Sequence, residues 1–179
     1  MVNSPVDIAR LADAPRAGTR IRPVGQSDAG ELRRFYAALS AESRRRRFLG
    51  LRSGLTAAEA SHLCAVDHVH TDGFVATAGS DKGERIVGHM CLEPVGPEVE
   101  EVGVAVADDW QRHGVGRALY AAALSSAESR GIRQLEATLF AYHSPVRLLL
   151  TGAGRPYRIE SDELGTLYLT IDLAGTQAA

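Results

Sequence analysis

A strand, a glycine-containing loop and a long helix follow one another in the middle of this chain, and they constrain its fold most. Residues 99–106 contain alternating small and β-branched residues, the pattern of a β-strand. Apolar residues then recur at helical spacing over 114–130, and Gly131 is typical of the residue that ends a helix. A further strand pattern at 134–140 predicts a right-handed βαβ crossover with two parallel strands.

The remaining segments predict a mixed sheet. Strand patterns at 73–78 and 86–95 flank turn-forming residues, which predicts a hairpin. A first strand is expected at 19–24, and helical patterns fill the interval up to the hairpin. Within that interval Thr56 and Glu59 have the spacing of a capping box. We therefore predict an α/β fold, with helices on the faces of a mixed α+β sheet.

Length and local composition predict one domain. A chain of 179 residues has the size of a single domain with a short appendage. Residues 1–18 are rich in Ala, Pro, Asp and Arg without a sustained period, so we expect them to form a flexible arm. The folded domain is then expected to cover 19–179, and the sequence is compatible with an oligomer.

Charge and apolar patterning exclude several classes of protein. Twenty basic and 22 acidic side chains give a net charge of -2, so we expect no nucleic-acid partner. No apolar run approaches the roughly 20 residues of a membrane helix, and the N-terminus lacks the pattern of a secretory signal. Two isolated cysteines, Cys64 and Cys91, predict reduced thiols in a cytoplasmic protein. The histidines at 62, 68 and 70 have no recognisable metal-ligand spacing, so no metal is expected.

The loop before the long helix has the chemistry of a phosphate site. Gly114 and Gly116 allow a ligand to approach the backbone closely, and the helix N-terminus adds unpaired N–H donors. Arg112, His113 and Arg117 surround the loop with basic groups. A third glycine for a dinucleotide site and the Gly-Lys-Ser/Thr of a phosphate-loop NTPase are both absent. Two glycines alone are more typical of a tight strand-to-helix turn than of a phosphate site.

The segment Gln111-Arg112-His113-Gly114-Val115-Gly116 resembles the acyl-CoA signature Q/R-x-x-G-x-G/A of the GNAT N-acetyltransferase superfamily. The likeness extends over about 19–173. The stretches L-S-A-E-S-R-R-R-R-F-L from Leu39 and E-V-G-V-A-V-A-D-D-W-Q from Glu101 are most similar to bacterial protein-lysine acetyltransferases. The resemblance implies the GNAT acyl-CoA N-acyltransferase fold and an enzyme that uses acetyl-CoA as co-substrate.

The resemblance also implies where acetyl-CoA binds. The strand at 99–106 would splay from the strand at 134–140, and the pantetheine arm would fill the gap and bond to main-chain groups of Val104 and Val106. The pyrophosphate would lie on the glycine loop. The implied cofactor-binding residues are Val104, Ala105, Val106, Gln111, Arg112, His113, Gly114, Val115, Gly116, Arg117 and His143.

Acetyl transfer to an amine needs a base, because a lysine with a pKa near 10.4 is mostly protonated at neutral pH. The resemblance assigns this role to Glu101, acting through a water in a ternary complex. The implied acceptor is a protein lysine side chain. A small amine, such as an antibiotic, polyamine or amino acid, is the alternative acceptor. A weakly catalytic acyl-CoA sensor is the alternative from another functional class.

The chain departs from the family pattern at two positions. His143 stands where many members carry a cofactor-binding asparagine, and Ala153 where many carry a tyrosine that protonates the thiolate. These departures keep the sensor alternative open. The arginines at 44–47 have two interpretations, a solvated helix whose arginine stems pack or an attractor of anionic groups, and we expect the first.

Overall fold

The computed structural model describes residues 15–80, 83–142, 144–162 and 164–174. Seven strands form one sheet in the order β1-β2-β3-β4-β5-β7-β6. The strands are β1 Thr19–Pro23, β2 Asp72–Ser80, β3 Gly83–Gly96, β4 Val99–Val106, β5 Gln134–Phe140, β6 Tyr157–Ser161 and β7 Thr166–Asp172. The helices are α1 Ala29–Ala38, α2 Ala41–Phe48, α3 Ala57–Cys64, α4 Val115–Ser129 and α5 Ser144–Thr151.

The predicted mixed sheet and its crossover are confirmed. Strands β1 to β4 pair antiparallel, β4 pairs parallel with β5 across α4, and β7 pairs antiparallel with β5 and β6. The bounds of β4 and β5 agree with the sequence patterns, whereas the hairpin strands β2 and β3 are longer than their patterns. The extra length comes from polar residues beside the turn, which pair as strands although they lack apolar alternation.

Apolar clusters lie on the two faces of the sheet. On one face α4 packs Leu119 and Ala123 against Met90, in a cluster that α5 joins through Leu150. Gly88 of β3 lets α4 approach closely, since a Cβ there would lie 2.9 Å from a methyl carbon of Leu119. The other face is covered by the three helices α1 to α3. Each strand therefore directs alternate side chains towards α4 or towards α1–α3.

The second cluster forms beneath α1–α3. It includes the buried side chains of Phe35, Tyr36 and Val75. No helix in the four described ranges is long and apolar enough to cross a membrane.

Candidate active site

A gap opens inside the sheet between β4 and β5. The two strands pair at only three positions, ending at Glu101 opposite Glu136. Beyond that point the described residues of β4 and β5 no longer pair, and a cleft of about 300 Å³ lies between them. Its lining residues come from α2, α3, β3, β4, β5 and α5. The gap is therefore closed at the Glu101 end and opens towards the C-terminal ends of both strands.

The backbone of β4 presents alternate residues to this gap. The N–H of Ala107 donates to the carbonyl of Val87 at 2.9 Å, so residues of odd number in β4 direct their backbone groups to β3. Val104 and Val106, at even positions, then direct theirs into the gap. The Gln111 side chain approaches from the gap side and donates to the carbonyl of Val106 at 3.2 Å.

The glycine loop lies at the open end of the gap. Helix α4 begins at Val115, and the first bond of its ladder runs from the N–H of Ala118 to the carbonyl of Gly114 at 3.0 Å. The N–H groups of the first turn before Ala118 therefore have no carbonyl one turn earlier within the helix. Arg112 and Gly114 both have positive φ, 60° and 77°, which turns the loop sharply into the helix. Such an arrangement of N–H donors with a positive helix end suits a phosphate group.

The structure separates the predicted cofactor residues into groups. Val104, Val106 and Gly116 border the gap or the helix start, and Arg112 and His113 are exposed on the loop. Arg117 is exposed on the first turn of α4.

Three other predicted residues have different surroundings. Ala105 does not face the gap, because its backbone pairs with His89 of β3 and its side chain belongs to the cluster under α1–α3. The Val115 side chain is 1% exposed and packs in the α4 cluster, so only its N–H faces the loop. His143 lies outside the described residues.

Glu101 stands at the closed end of the gap with an exposed side chain. It lies opposite Glu93 of β3 and opposite Glu136 of β5, so three carboxylates form a row across adjacent strands. Adjacent strands are about 4.8 Å apart, and like charges placed directly opposite destabilise a sheet. His62 lies 3.5 Å from Glu93, the nearest basic contact of the row among the described residues. The row makes this end of the cleft attractive to a cation.

The arginines at 44–47 have four different environments. Arg44 donates to the carbonyl of Ala37 at 3.0 Å, at the end of α1. Arg45 lies over the ring of Phe140, and Arg46 pairs with Glu42 at 2.8 Å. Arg47 lines the cleft. The prediction of a solvated helix with packed arginine stems therefore accounts for part of the 44–47 segment. It does not account for the position of Arg47 in the cleft.

Arg47 lies over a glycine. The guanidinium occupies the space beside Gly103 of β4, where an added Cβ would lie 2.5 Å from Nη2. Nη2 donates to the sulfur of Cys91 at 3.2 Å, on the neighbouring strand β3. Gly103 and Glu101 are two residues apart, so their side-chain positions lie on the same face of β4.

A docked helix explains the position of Arg47. The Asp108 carboxylate, just after β4, accepts from the backbone N–H of Ser40 at 2.8 Å and from the Ser43 hydroxyl at 2.6 Å. Gln111 also donates to Ser43, at 3.2 Å. These bonds tie the start of α2 to the segment after β4, and the helix carries its last residues back over the sheet.

Neutral polar groups lie beneath Arg47. The Tyr36 hydroxyl is 3.0 Å from Nδ1 of His89, and both side chains are fully buried. Burial, chiefly, raises the pKa of Tyr36 to about 12 and lowers the pKa of His89 to about 3. Burial also raises the pKa of the Cys91 thiol. At neutral pH these three neighbours of Arg47 are therefore uncharged.

Three tyrosines in the described part of the chain lie away from the cleft. Tyr142 is 54% exposed and stacks on Phe140, and Tyr157 lies on the exposed edge strand β6. The buried Tyr120 donates to the carbonyl of Leu150 at 3.1 Å. None of these three residues lines the cleft.

A sequence profile described as the acetyltransferase (GNAT) family matches residues 32–148. The fold is similar to the GNAT domain of S. lividans PAT, at 27% identity and a TM-score of 0.76, over 87% of this chain and 90% of that one.

Two further structures share the fold at lower identity. A GNAT superfamily phosphinothricin acetyltransferase from Sinorhizobium meliloti, in complex with acetyl-CoA, is 16% identical with a TM-score of 0.68, over 90% of this chain and 92% of that one. The ribosomal-protein-S18-alanine N-acetyltransferase from Escherichia coli is 16% identical with a TM-score of 0.64, over 90% of this chain and 99% of that one.

Proposed function

The chain belongs to the GNAT acetyltransferase family, and from this premise we propose that it transfers an acetyl group from acetyl-CoA to the amine of a protein lysine. The observation that carries the proposal is the gap between β4 and β5, which runs from the N-terminus of α4 to Glu101. An acyl-CoA has a phosphate end and a thin, hydrogen-bonding arm, which match the two ends of this gap. Its occurrence in the Sinorhizobium meliloti structure supports the same choice of co-substrate.

Binding in this proposal uses mainly backbone groups. The pyrophosphate accepts hydrogen bonds from the N–H groups of the first turn of α4, with Arg112 and His113 close by as basic groups. The pantetheine amides bond to the gap-facing backbone of Val104 and Val106, as an added strand would. Gln111 holds the end of β4, and His143 and Arg117 remain proposed contacts. Ala105 contributes packing beneath α1 instead of a contact with the cofactor.

The reaction is a direct transfer between the two substrates. Glu101, acting through a water, takes a proton from the acceptor ammonium, and the neutral amine then attacks the thioester carbonyl. The C–N bond forms as the C–S bond breaks, and the electron pair leaves on the sulfur of coenzyme A. The nitrogen then loses its second proton to solvent water. Because the gap closes at Glu101, the thioester cannot pass beyond this residue, which brings the base and the carbonyl together.

The charge and shape at the closed end support a lysine acceptor. The carboxylates of Glu93, Glu101 and Glu136 attract an ammonium group towards the cleft. Leu49 lines the cleft and Leu51 is 90% exposed close to it in the chain, which offers apolar contact to a polypeptide. The free, buried thiols of Cys64 and Cys91 support a cytoplasmic location, where such thiols stay reduced.

One assay tests the activity and the acceptor class together. The protein is incubated with acetyl-CoA and either a lysine-containing protein panel or a panel of small amines, and release of the CoA thiol is followed. Rapid release with proteins and slow release with every small amine supports the proposal. Faster release with an antibiotic, polyamine or amino acid assigns a small-molecule acceptor. Tight CoA binding without turnover on either panel would make the protein a sensor.

A further inference from the structure

The positively charged guanidinium of Arg47 lies where the acyl-CoA arm would end in the proposed complex. In the proposed binding mode the phosphate end lies at the N-terminus of α4, and the arm runs along β4 towards the last paired residue, Glu101. Gly103 lies two residues from Glu101 towards the open end of the gap, and its side-chain position is on the same face of β4. The guanidinium of Arg47 lies directly beside Gly103, so it borders the part of the gap reserved for the thioester.

The structure holds this cation in place without neutralising it. Among the described residues no carboxylate lies within ion-pair distance of Arg47, and its buried Nε has no hydrogen-bond partner. Its contacts are the Cys91 sulfur, the Tyr36 hydroxyl and the ring of Phe48, 5.4 Å away. Since burial raises the pKa values of Cys91 and Tyr36, neither supplies an anion at neutral pH. A desolvated cation with no counter-ion binds an anion strongly when one is produced beside it.

We propose that Arg47 is a catalytic residue whose guanidinium contacts the sulfur of coenzyme A and stabilises the thiolate as the thioester breaks. The role rests on the proposed function above. The amine nitrogen bonds to the carbonyl carbon, the C–S bond breaks, and the electron pair stays on sulfur as a thiolate paired with Arg47. Glu101 has already taken one proton from the ammonium through a water, and the second nitrogen proton leaves to solvent water. Arg47 itself gives up no proton, because a guanidinium remains charged at every working pH, and solvent protonates the thiol after release.

The geometry favours the sulfur over other anions. A carboxylate on the acceptor or on a longer acyl chain would approach Glu93 and Glu101, which repel it. No tyrosine hydroxyl lines the cleft within the described residues, so the thiolate has no other donor of that kind. The titratable or charged groups that surround the guanidinium are Tyr36, Arg46, His89, Cys91, Glu93 and Glu101.

The test measures the pKa of the thiol of unacetylated CoA in its complex with the protein, without any acceptor. The ultraviolet absorbance of the thiolate is titrated against pH in the CoA complex, and the desulfo-CoA complex serves as blank, which cancels Cys91 and the tyrosines. A thiol with an ordinary pKa near 8.5 should titrate at about 7 or below beside Arg47. In Arg47→Met it should return to about 8.5, and Arg47→Lys should fall between. Arg34→Met is the control, since Arg34 pairs with Glu31 on the exposed side of α1.

Kinetics supply a second, independent readout. We expect kcat to fall about 10²-fold in Arg47→Met, with nearly unchanged affinity for acetyl-CoA and partial recovery in Arg47→Lys. An equal loss of kcat and affinity assigns Arg47 to packing and overturns the proposal. So does a thiol pKa of 8.5 or higher in the wild-type complex, even if every variant unfolds. Failure of the wild type to bind CoA overturns the proposed function as well, whereas bound CoA with an ordinary thiol overturns only the role of Arg47.

Discussion

Arg130, the residue that follows α4, and Glu100 of β4 form an ion pair with two hydrogen bonds, Nη2 donating to Oε2 at 2.8 Å. The side chains are 9% and 1% exposed. The pair lies on the face of β4 opposite the side chain of Glu101, the next residue. The Glu100 carboxylate, chiefly through its hydrogen bonds, raises the pKa of Arg130. The pair therefore fixes β4 to α4 at the point where the gap closes.

Removing one partner of this pair should destabilise the fold strongly. Arg130→Met leaves the Glu100 carboxylate buried without its two donors, and we expect a loss of about 3–5 kcal/mol in the free energy of unfolding. Urea denaturation measures it. The matched control is Arg133→Met, because Arg133 faces Glu98 at 3.9 Å with both side chains more than half exposed. A loss in Arg130→Met no larger than in the control would show that the pair contributes little.

Substitution of the proposed base should separate binding from chemistry. Glu101→Gln keeps the size of the side chain but cannot take a proton, so kcat should fall about 10²–10⁴-fold while acetyl-CoA affinity stays nearly unchanged. The plot of rate against pH should also lose the rise that reflects deprotonation of the base. Glu160→Gln, on the exposed edge strand β6, is the control. A Glu101→Gln protein with more than about a tenth of the wild-type rate at neutral pH removes Glu101 from the mechanism.

Substitution of Gly103 should affect catalysis as strongly as substitution of Arg47. In Gly103→Ala the new methyl would lie 2.5 Å from Nη2 of Arg47 and 3.0 Å from the sulfur of Cys91, so the guanidinium has to leave its place. We expect the thiolate pKa of bound CoA and kcat to change as in Arg47→Met, with a stability loss of about 1–3 kcal/mol. Gly96→Ala is the control, because its nearest contact is an ordinary 3.7 Å to Val99. Normal catalysis in Gly103→Ala would contradict the proposed role of the Arg47 guanidinium at its position beside Gly103.

The buried His89 should make stability depend on pH. Burial, with the nearby Arg47 cation, lowers its pKa to about 3, whereas an unfolded histidine titrates near 6.5. Between these values the unfolded chain binds a proton that the folded protein excludes. The contribution of neutral His89 to the free energy of unfolding should therefore be fully present above pH 6.5. Below that pH the free energy of unfolding should fall by about 1.4 kcal/mol for each pH unit.

The experiment compares urea denaturation of the wild type and His89→Asn from pH 7 to pH 5. Carboxylates are still ionised in this range in both states, so they add little slope. We expect the difference in unfolding free energy between the two proteins to shrink as the pH falls. A difference that stays constant over this range would show that the pKa of His89 is the same in the folded and unfolded protein.

The sequence predicts the parts of the fold that depend on local pattern. Alternation alone defines β4 and β5, and the helical spacing between them implies the parallel crossover that the sheet contains. The capping box at Thr56 is also found, with the Thr56 N–H donating to the Glu59 carboxylate at 2.8 Å. These features need only neighbours within a few residues.

The cleft depends on contacts between distant residues, and its electrostatics could not be read from local pattern. Arg47 and Gly103 are far apart in sequence, and only the docking of α2 on Asp108 brings them together. The carboxylate row needs the register of three strands, whereas the sequence displays only Glu100 and Glu101 side by side. One local signal was present: a glycine inside a strand, such as Gly103, often marks a close approach by another group.

The gap between β4 and β5 is also an edge of backbone donors and acceptors in the interior of the sheet. Exposed sheet edges invite pairing with other chains, and an arm of acyl-CoA bonded as proposed would cover this one. A ligand present at one hundred times its Kd adds about 2.7 kcal/mol to the free energy of unfolding. The survival of the protein against proteolysis and aggregation would then follow the supply of acyl-CoA in the cell, so that scarcity of substrate would reduce the amount of enzyme as well as its rate.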